Sequence, residues 1–174
     1  MIPIRVDAKP LQKLRTFLHG TPVASNRAAY RAINKTLKWV DTRARRALAA
    51  EFGLPVSALK KARRLTTIRA IPRRLSGVIW YGVSPIKASY FGKPRQTKKG
   101  AKAGKHVFPG AFVATMKSGH TGIYTRRGTA RLPIDEATVP LNNAQSIVAP
   151  IDALIPERLK TVFIQELNYE LSKM

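Results

Sequence analysis

Apolar side chains at Tyr30, Ile33, Leu37, Val40, Ala44 and Leu48 recur at steps of three and four residues. That spacing returns to one side of a helix at every turn and predicts an amphipathic helix with a core-facing stripe. Thr21-Pro22 offers an N-cap and a first-turn residue, because the N–H that proline lacks has no helical acceptor there. Gly53 offers the stop. A helix from Pro22 to about Glu51 is a rod about 45 Å long at about 1.5 Å per residue. A second helical pattern lies near the end of the sequence, where Pro156 precedes Leu159, Phe163, Leu167 and Leu171 at i+4 steps. Upstream, Ile2 to Val6 reads as a short strand. Leu11, Leu14 and Leu18 share one face of a short helix that Gly20 ends.

The middle of the chain changes period. Pro55 opens a short helix predicted over Val56 to Leu65. Strands are then expected over residues 66–71, 75–83, 107–116 and 122–126, which are rich in β-branched and aromatic residues and separated by Gly, Pro and Ser. Pro109-Gly110 inside the third run predicts a bulge or a close backbone approach, with Phe112 expected in the core. Pro133 and Pro140 bracket Ile134 to Val139 as an extended segment with few ladder donors. Residues 92–106 hold Lys93, Arg95, Lys98, Lys99, Lys102 and Lys105 with three glycines and no large apolar side chain before His106. They read as a flexible basic loop or arm. Helices, then strands, then a helix define an α+β fold. The expected architecture is a long N-terminal amphipathic helix and a C-terminal helix packed on a small, mostly antiparallel sheet. With 174 residues, 44% of them hydrophobic, the chain can bury a core and is expected to form a single domain over residues 1–174.

Charge sharpens the picture. Residues 52–134 contain no Asp or Glu and carry eighteen Lys and Arg. Residues 135–174 reverse the balance, with six acids and three basic residues. The net charge of +23 is therefore concentrated in the middle of the chain. A compact chain so charged repels itself unless a polyanion neutralises it, and nucleic acid is the commonest one. On the long helix Arg27, Arg31, Lys35, Lys38 and Arg45 form a basic stripe, relieved by Asp41, which can pair with Arg45 at i,i+4. The first four, with Lys60, Lys61, Arg63, Arg64 and the six cations of the loop, are the candidate nucleic-acid-binding residues. No aromatic side chain is interleaved among them, so contacts are expected on phosphates rather than bases.

Enzymatic chemistry finds little to stand on. His19, His106 and His120 are not at metal-ligand spacing from one another and read as incidental loop or turn residues. Asp135-Glu136 is an adjacent acidic pair without the further carboxylates that a metal-dependent nuclease needs. No phosphate-binding Gly-rich loop or nucleophile elbow appears. Cysteine is absent, which excludes disulfides and thiolate chemistry. No catalytic, cofactor-binding or metal-binding residue is assigned, and no cofactor is expected. The N-terminus lacks a signal-peptide apolar region and no uncharged apolar run reaches the length of a membrane span, so a soluble protein with no membrane partner is expected.

An ordered series of segments carries a family resemblance. Pro109-Gly110-Ala111-Phe112 in an apolar strand precedes the turn Lys117-Ser118-Gly119-His120 and the strand Gly122-Ile123-Tyr124-Thr125-Arg126-Arg127. Leu132-Pro133-Ile134-Asp135, Val139-Pro140-Leu141 and Glu166-Leu167-Asn168-Tyr169-Glu170-Leu171 follow. The order resembles the minor tail protein Z family of long-tailed bacteriophages and prophages, the lambda-type tail-completion proteins. Ala32-Ile33-Asn34-Lys35 and the basic stretch from Lys60 to Arg74 are similar to the family's front end. The resemblance implies a structural virion protein acting in tail completion and head–tail joining at the head-proximal end, assembled in the host cytoplasm. It implies copies of the chain in a hexameric ring, and neighbours among tail terminator, tail tube, tape-measure or head–tail connector proteins. The end of the genomic DNA is a further expected partner. The residues alone leave open a stand-alone, sequence-independent nucleic-acid-binding protein, ribosomal- or nucleoid-like.

Overall fold

The computed structural model describes residues 2–11, 22–62 and 65–173. Strand β1 (Ile2–Asp7) leads to a 3-10 turn at Lys9–Leu11, then to helix α1 (Pro22–Phe52) and the short α2 (Ala58–Lys61). Next come β2 (Leu65–Ile68), β3 (Ser76–Tyr81) and β4 (Ile86–Lys87), and a 3-10 turn at Ala88–Phe91. Strands β5 (Arg95–Thr97), β6 (Gly100–Ala103), β7 (His106–Pro109) and β8 (Phe112–Thr115) follow. The chain continues through β9 (Thr121–Arg126), β10 (Ile134–Glu136) and β11 (Thr138–Val139) to α3 (Ala144–Ala153) and α4 (Ile155–Leu171). The fold is mixed α+β, with long helices at both ends of the sequence and small antiparallel sheets between. The expected helix over Leu11, Leu14 and Leu18 and the Thr21 cap fall outside the described residues, apart from Leu11.

The elements form two compact units. The first gathers residues 1–45, 65–82 and 145–174; the second gathers 46–64 and 83–144. In the first, β3 lies between β1 and β2, with Ile4 opposite Ile79 and Thr67 opposite Ile79 on the other side. The odd-numbered face of β3 and the even-numbered face of β1 are buried, as period-two patterning requires. Helix α1 lies on that face, and Leu37 rests on Gly77 so closely that a methyl there would meet Leu37 Cδ1 at 2.3 Å. Ala28, Ala29, Ala32 and Ala44 are fully or almost fully buried along with Ile33, Leu37 and Val40. Helix α4 is tied to α1 by the Arg31–Glu170 and Lys35–Glu166 pairs, and its Leu159, Val162 and Phe163 are buried. Each large side chain fully buried here stabilises the fold by roughly 1.5–3 kcal/mol. Tyr30, expected in the stripe, is half-buried; Ala29 and Ala32 take the adjoining core positions.

The second unit holds three small sheets, β10-β9-β8, β11-β4 and β5-β6-β7. Ile86, Ala88, Phe91, Ala101, Ala103 and Ile123 are buried among them. The apolar run over residues 107–116 is not one strand. At Gly110 the backbone turns through φ +68°, so β7 stays with β6 while β8 pairs with β9. The expected bend at Pro109-Gly110-Ala111-Phe112 is thus a change of sheet. Phe112, expected in the core, is half-buried, with the Arg126 guanidinium 5.3 Å from its ring centroid. Helix α2 covers Ala58–Lys61 of the expected Val56–Leu65, of which Arg63 and Arg64 lie outside the described residues and Leu65 begins β2.

Candidate nucleic-acid interface

Residues 92–106 depart furthest from the sequence expectation. In place of a loop they form β5 and β6, paired with β7 as a three-stranded sheet. Alanine supplies the core that large apolar side chains would otherwise provide. Ala101 and Ala103 are fully buried and Lys102 between them is exposed, a period-two strand in small residues. Lys98-Lys99 and Gly104-Lys105 make the tight turns, and Gly104 takes the positive φ of +56° that a short hairpin turn demands. Gln96 stitches the sheet to β8: its Nε2 donates to the Gly100 carbonyl at 2.9 Å, and its Oε1 accepts the Val113 N–H at 2.8 Å.

This geometry concentrates charge. Arg95 and Lys102 stand directly opposite each other in the β5–β6 register. Like charges in that position destabilise a sheet unless an anion lies between them. Lys93 joins them around a cleft of about 320 Å³ whose remaining lining is Gly92 and Gly104. Among the described residues none of these three cations pairs with a carboxylate. Lys98 and Lys99 are exposed at the hairpin turn, and Lys60 and Lys61 are exposed on α2.

Other candidates are occupied. Lys105 Nζ donates to the Glu51 carbonyl at 2.5 Å, and His106 Nε2 lies 2.9 Å from the Phe52 carbonyl. Together they serve the unpaired carbonyls at the end of α1, where a cation is also favoured by the helix dipole. In the first unit Arg31 pairs with Glu170, and Lys35 with Glu166; both glutamates are almost completely buried. Arg31, Lys35 and Lys105 thus each have a partner within the chain, and His106 shares the end of α1 with Lys105. Arg27 and Lys38 are exposed on α1. Arg63, Arg64 and His19 lie outside the described residues.

The motif residues near the acidic section pair within the chain. Asp135 on β10 accepts from Arg127 Nε at 2.5 Å and Nη2 at 3.0 Å, and Arg127 holds its carboxyl below the usual range. Pro133 contributes its carbonyl to the Arg127 N–H at 3.4 Å, just before the half-buried Ile134. Burial raises the Glu136 carboxyl pKa, but Lys87 at 2.7 Å and His120 at 2.8 Å outweigh it and bring the carboxyl below its ordinary value. Tyr169 on α4 is half-exposed, with Lys173 Nζ 4.0 Å from its ring centroid. Among the described residues no group of three or more His, Asp or Glu side chains could hold a metal ion. Among them, too, no helix is long and apolar enough to cross a membrane.

An α+β chain with long helices at either end of the sequence and a glycine-bent change of sheet between β7 and β8 has known kin. Over residues 21–174 the sequence matches the family described as prophage minor tail protein Z. The chain belongs to that family and is a structural protein of the phage tail. It is 29% identical over 145 residues to the tail completion protein of Escherichia phage N15, spanning 78% of this chain and 71% of that protein. No solved structure matches the chain.

Proposed function

We propose that the chain completes the tail at its head-proximal end as a non-enzymatic virion component, with the cations of the β5–β6 hairpin facing the end of the genomic DNA. The observation that carries this reading is the acid-free cluster of Lys93, Arg95 and Lys102, which a folded hairpin holds together at a standing electrostatic cost. A polyanion relieves that cost, and DNA is the polyanion a tail conducts. Lys98, Lys99, Lys60 and Lys61 extend the set. Kinship with a protein named for tail completion supports the place in assembly. Both units act together as one tail-completion domain, and copies of the chain form a hexameric ring beside tail terminator, tail tube, tape-measure or head–tail connector proteins. Assembly takes place in the host cytoplasm.

The test is duplex DNA binding across a salt series. Phosphate neutralisation gives a logarithmic slope of about 0.9 per phosphate. Replacing Lys93, Arg95 and Lys102 together by Ser should lower that slope by about 3, because each cation removed leaves one phosphate with its counterions. Melting of the variant should not fall, since like-charge opposition is removed. An unchanged slope and affinity would remove the hairpin from the DNA surface.

A further inference from the structure

The outer edge of β2 in the first unit is open. β2 ends the β1-β3-β2 sheet, and among the described residues no strand pairs with its far side. The direction of each backbone group follows from the register. The Ala8 N–H donates to the Leu75 carbonyl at 3.0 Å, so the even-numbered residues of β1 point their backbone groups at β3. Their partners Gly77 and Ile79 point back at β1, which leaves Val78 and Trp80 to bond with Ile68 and Thr66. Thr67 between them turns its N–H and C=O away from the sheet.

That edge borders a groove. Thr67 and Arg69 line one side of a space of about 460 Å³, and α1 lines the other with Lys38, Asp41 and Arg45. Asn34 fixes one end, because its Nδ2 donates to the Ala70 carbonyl at 3.0 Å and its Oδ1 accepts the Ala70 N–H at 3.0 Å. These bonds anchor the chain just past β2 to α1. Asp41 is engaged by Arg45 at 2.5 Å, while Lys38 and Arg69 have no carboxylate among the described residues. The buried Nε–H of Arg45 likewise has no acceptor among them. An open strand edge beside a helix, cationic along its length, fits a strand that carries acids. A second copy offers no ready acidic strand, because Asp135 and Glu136 on β10 are already paired within the chain.

We propose that this groove takes an extended, acidic segment of a different protein, which adds to β2 as a fourth strand and sets its carboxylates against Lys38 and Arg69. The proposal concerns the first unit and does not depend on the hairpin binding DNA.

Amide hydrogen exchange by NMR on the full chain tests it, with a short peptide alternating Thr and Glu as the probe. In the free protein the Thr67 amide should exchange about tenfold or more faster than those of Thr66 and Ile68. Saturating probe should slow Thr67 about tenfold and leave Thr66 and Ile68 unchanged. Thr67→Pro removes the outward N–H, which β3 does not use, and should abolish binding with melting unchanged. Should that variant misfold, Lys38→Glu, a change at an exposed side chain, should weaken the probe about tenfold. A Thr67 amide indifferent to the probe would overturn the proposal. So would equal binding by the matching Thr/Lys peptide, or protection of Thr67 by oligo-dT alone, which would make nucleic acid the occupant.

Discussion

Gly100→Ala separates the hairpin from a loose arm. Gly100 has φ +147°, and a methyl built on it would meet the Phe108 carbonyl oxygen at 2.2 Å, Gly110 N at 2.9 Å and Pro109 Cα at 3.0 Å. All three are backbone atoms, held by the β6–β7 ladder and by the Gly110 N–H bond to the Lys99 carbonyl, so none can swing aside as a side chain would. Backbone strain in that region costs about 1–3 kcal/mol, and forced overpacking about 1–3 kcal/mol. Gly119→Ala is the internal control: φ is +80° but nothing lies within 4 Å, so strain acts alone at about 1–2 kcal/mol. The two variants should therefore differ by about 2 kcal/mol, or about 4–8 °C in Tm for a chain of this size. Urea denaturation followed by far-ultraviolet circular dichroism measures the difference, with trypsin as a second readout. The native hairpin should resist cutting at Lys98, Lys99 and Lys102, and Gly100→Ala should expose them. Equal midpoints for the two variants, or first cleavage of the native chain at those lysines, would refute the hairpin.

Reversing charge at Arg31 and Lys35 should lower the melting temperature rather than leave the fold intact, because Glu170 and Glu166 lie almost completely buried against them; an unchanged melt would mean that those pairs do not hold α4 to α1. Phe163→Ala, at a fully buried position, should cost about 3–5 kcal/mol in chemical denaturation, and a loss under about 1 kcal/mol would contradict the packing of α4. Glu136 has a depressed carboxyl, so its contribution to stability is present above its unfolded pKa and is lost as pH falls through the lower folded value. Wild-type stability should therefore decline on acidification below about pH 4.5, the range where an unfolded Glu titrates, and Glu136→Gln should flatten that decline; identical acid profiles would count against the Lys87–Glu136–His120 cluster.

Long-range periodicity was legible in the sequence and short-range compensation was not. The α1 and α4 patterns extend over several turns of large apolar residues, and both helices appear where the spacing places them. The hairpin escaped because its core side chains are alanines, and Ala101-Lys102-Ala103 alternates too weakly to stand out against six lysines and arginines. Turn chemistry offered the better signal: Gly104 ahead of Lys105, with strand residues on both sides. Helix α3 was missed because Pro150 interrupts an otherwise apolar stretch, although Asn142-Asn143 ahead of it are favoured N-cap residues. The roles of Arg31, Lys35, Lys105 and His106 depend on partners 139, 131, 54 and 54 residues away, a separation that no local pattern encodes. Charge composition marked Arg31, Lys35 and Lys105 as a group, and only folding shows which carboxylates and carbonyls they meet.

The location of the chain in an intact particle tests the central claim most directly. Purified tails carrying a gold-labelled or epitope-tagged copy, imaged by electron microscopy, should show label confined to the head-proximal end at a fixed stoichiometry. Label at the distal tip or along the tube, or a chain that never copurifies with tails, would contradict the account.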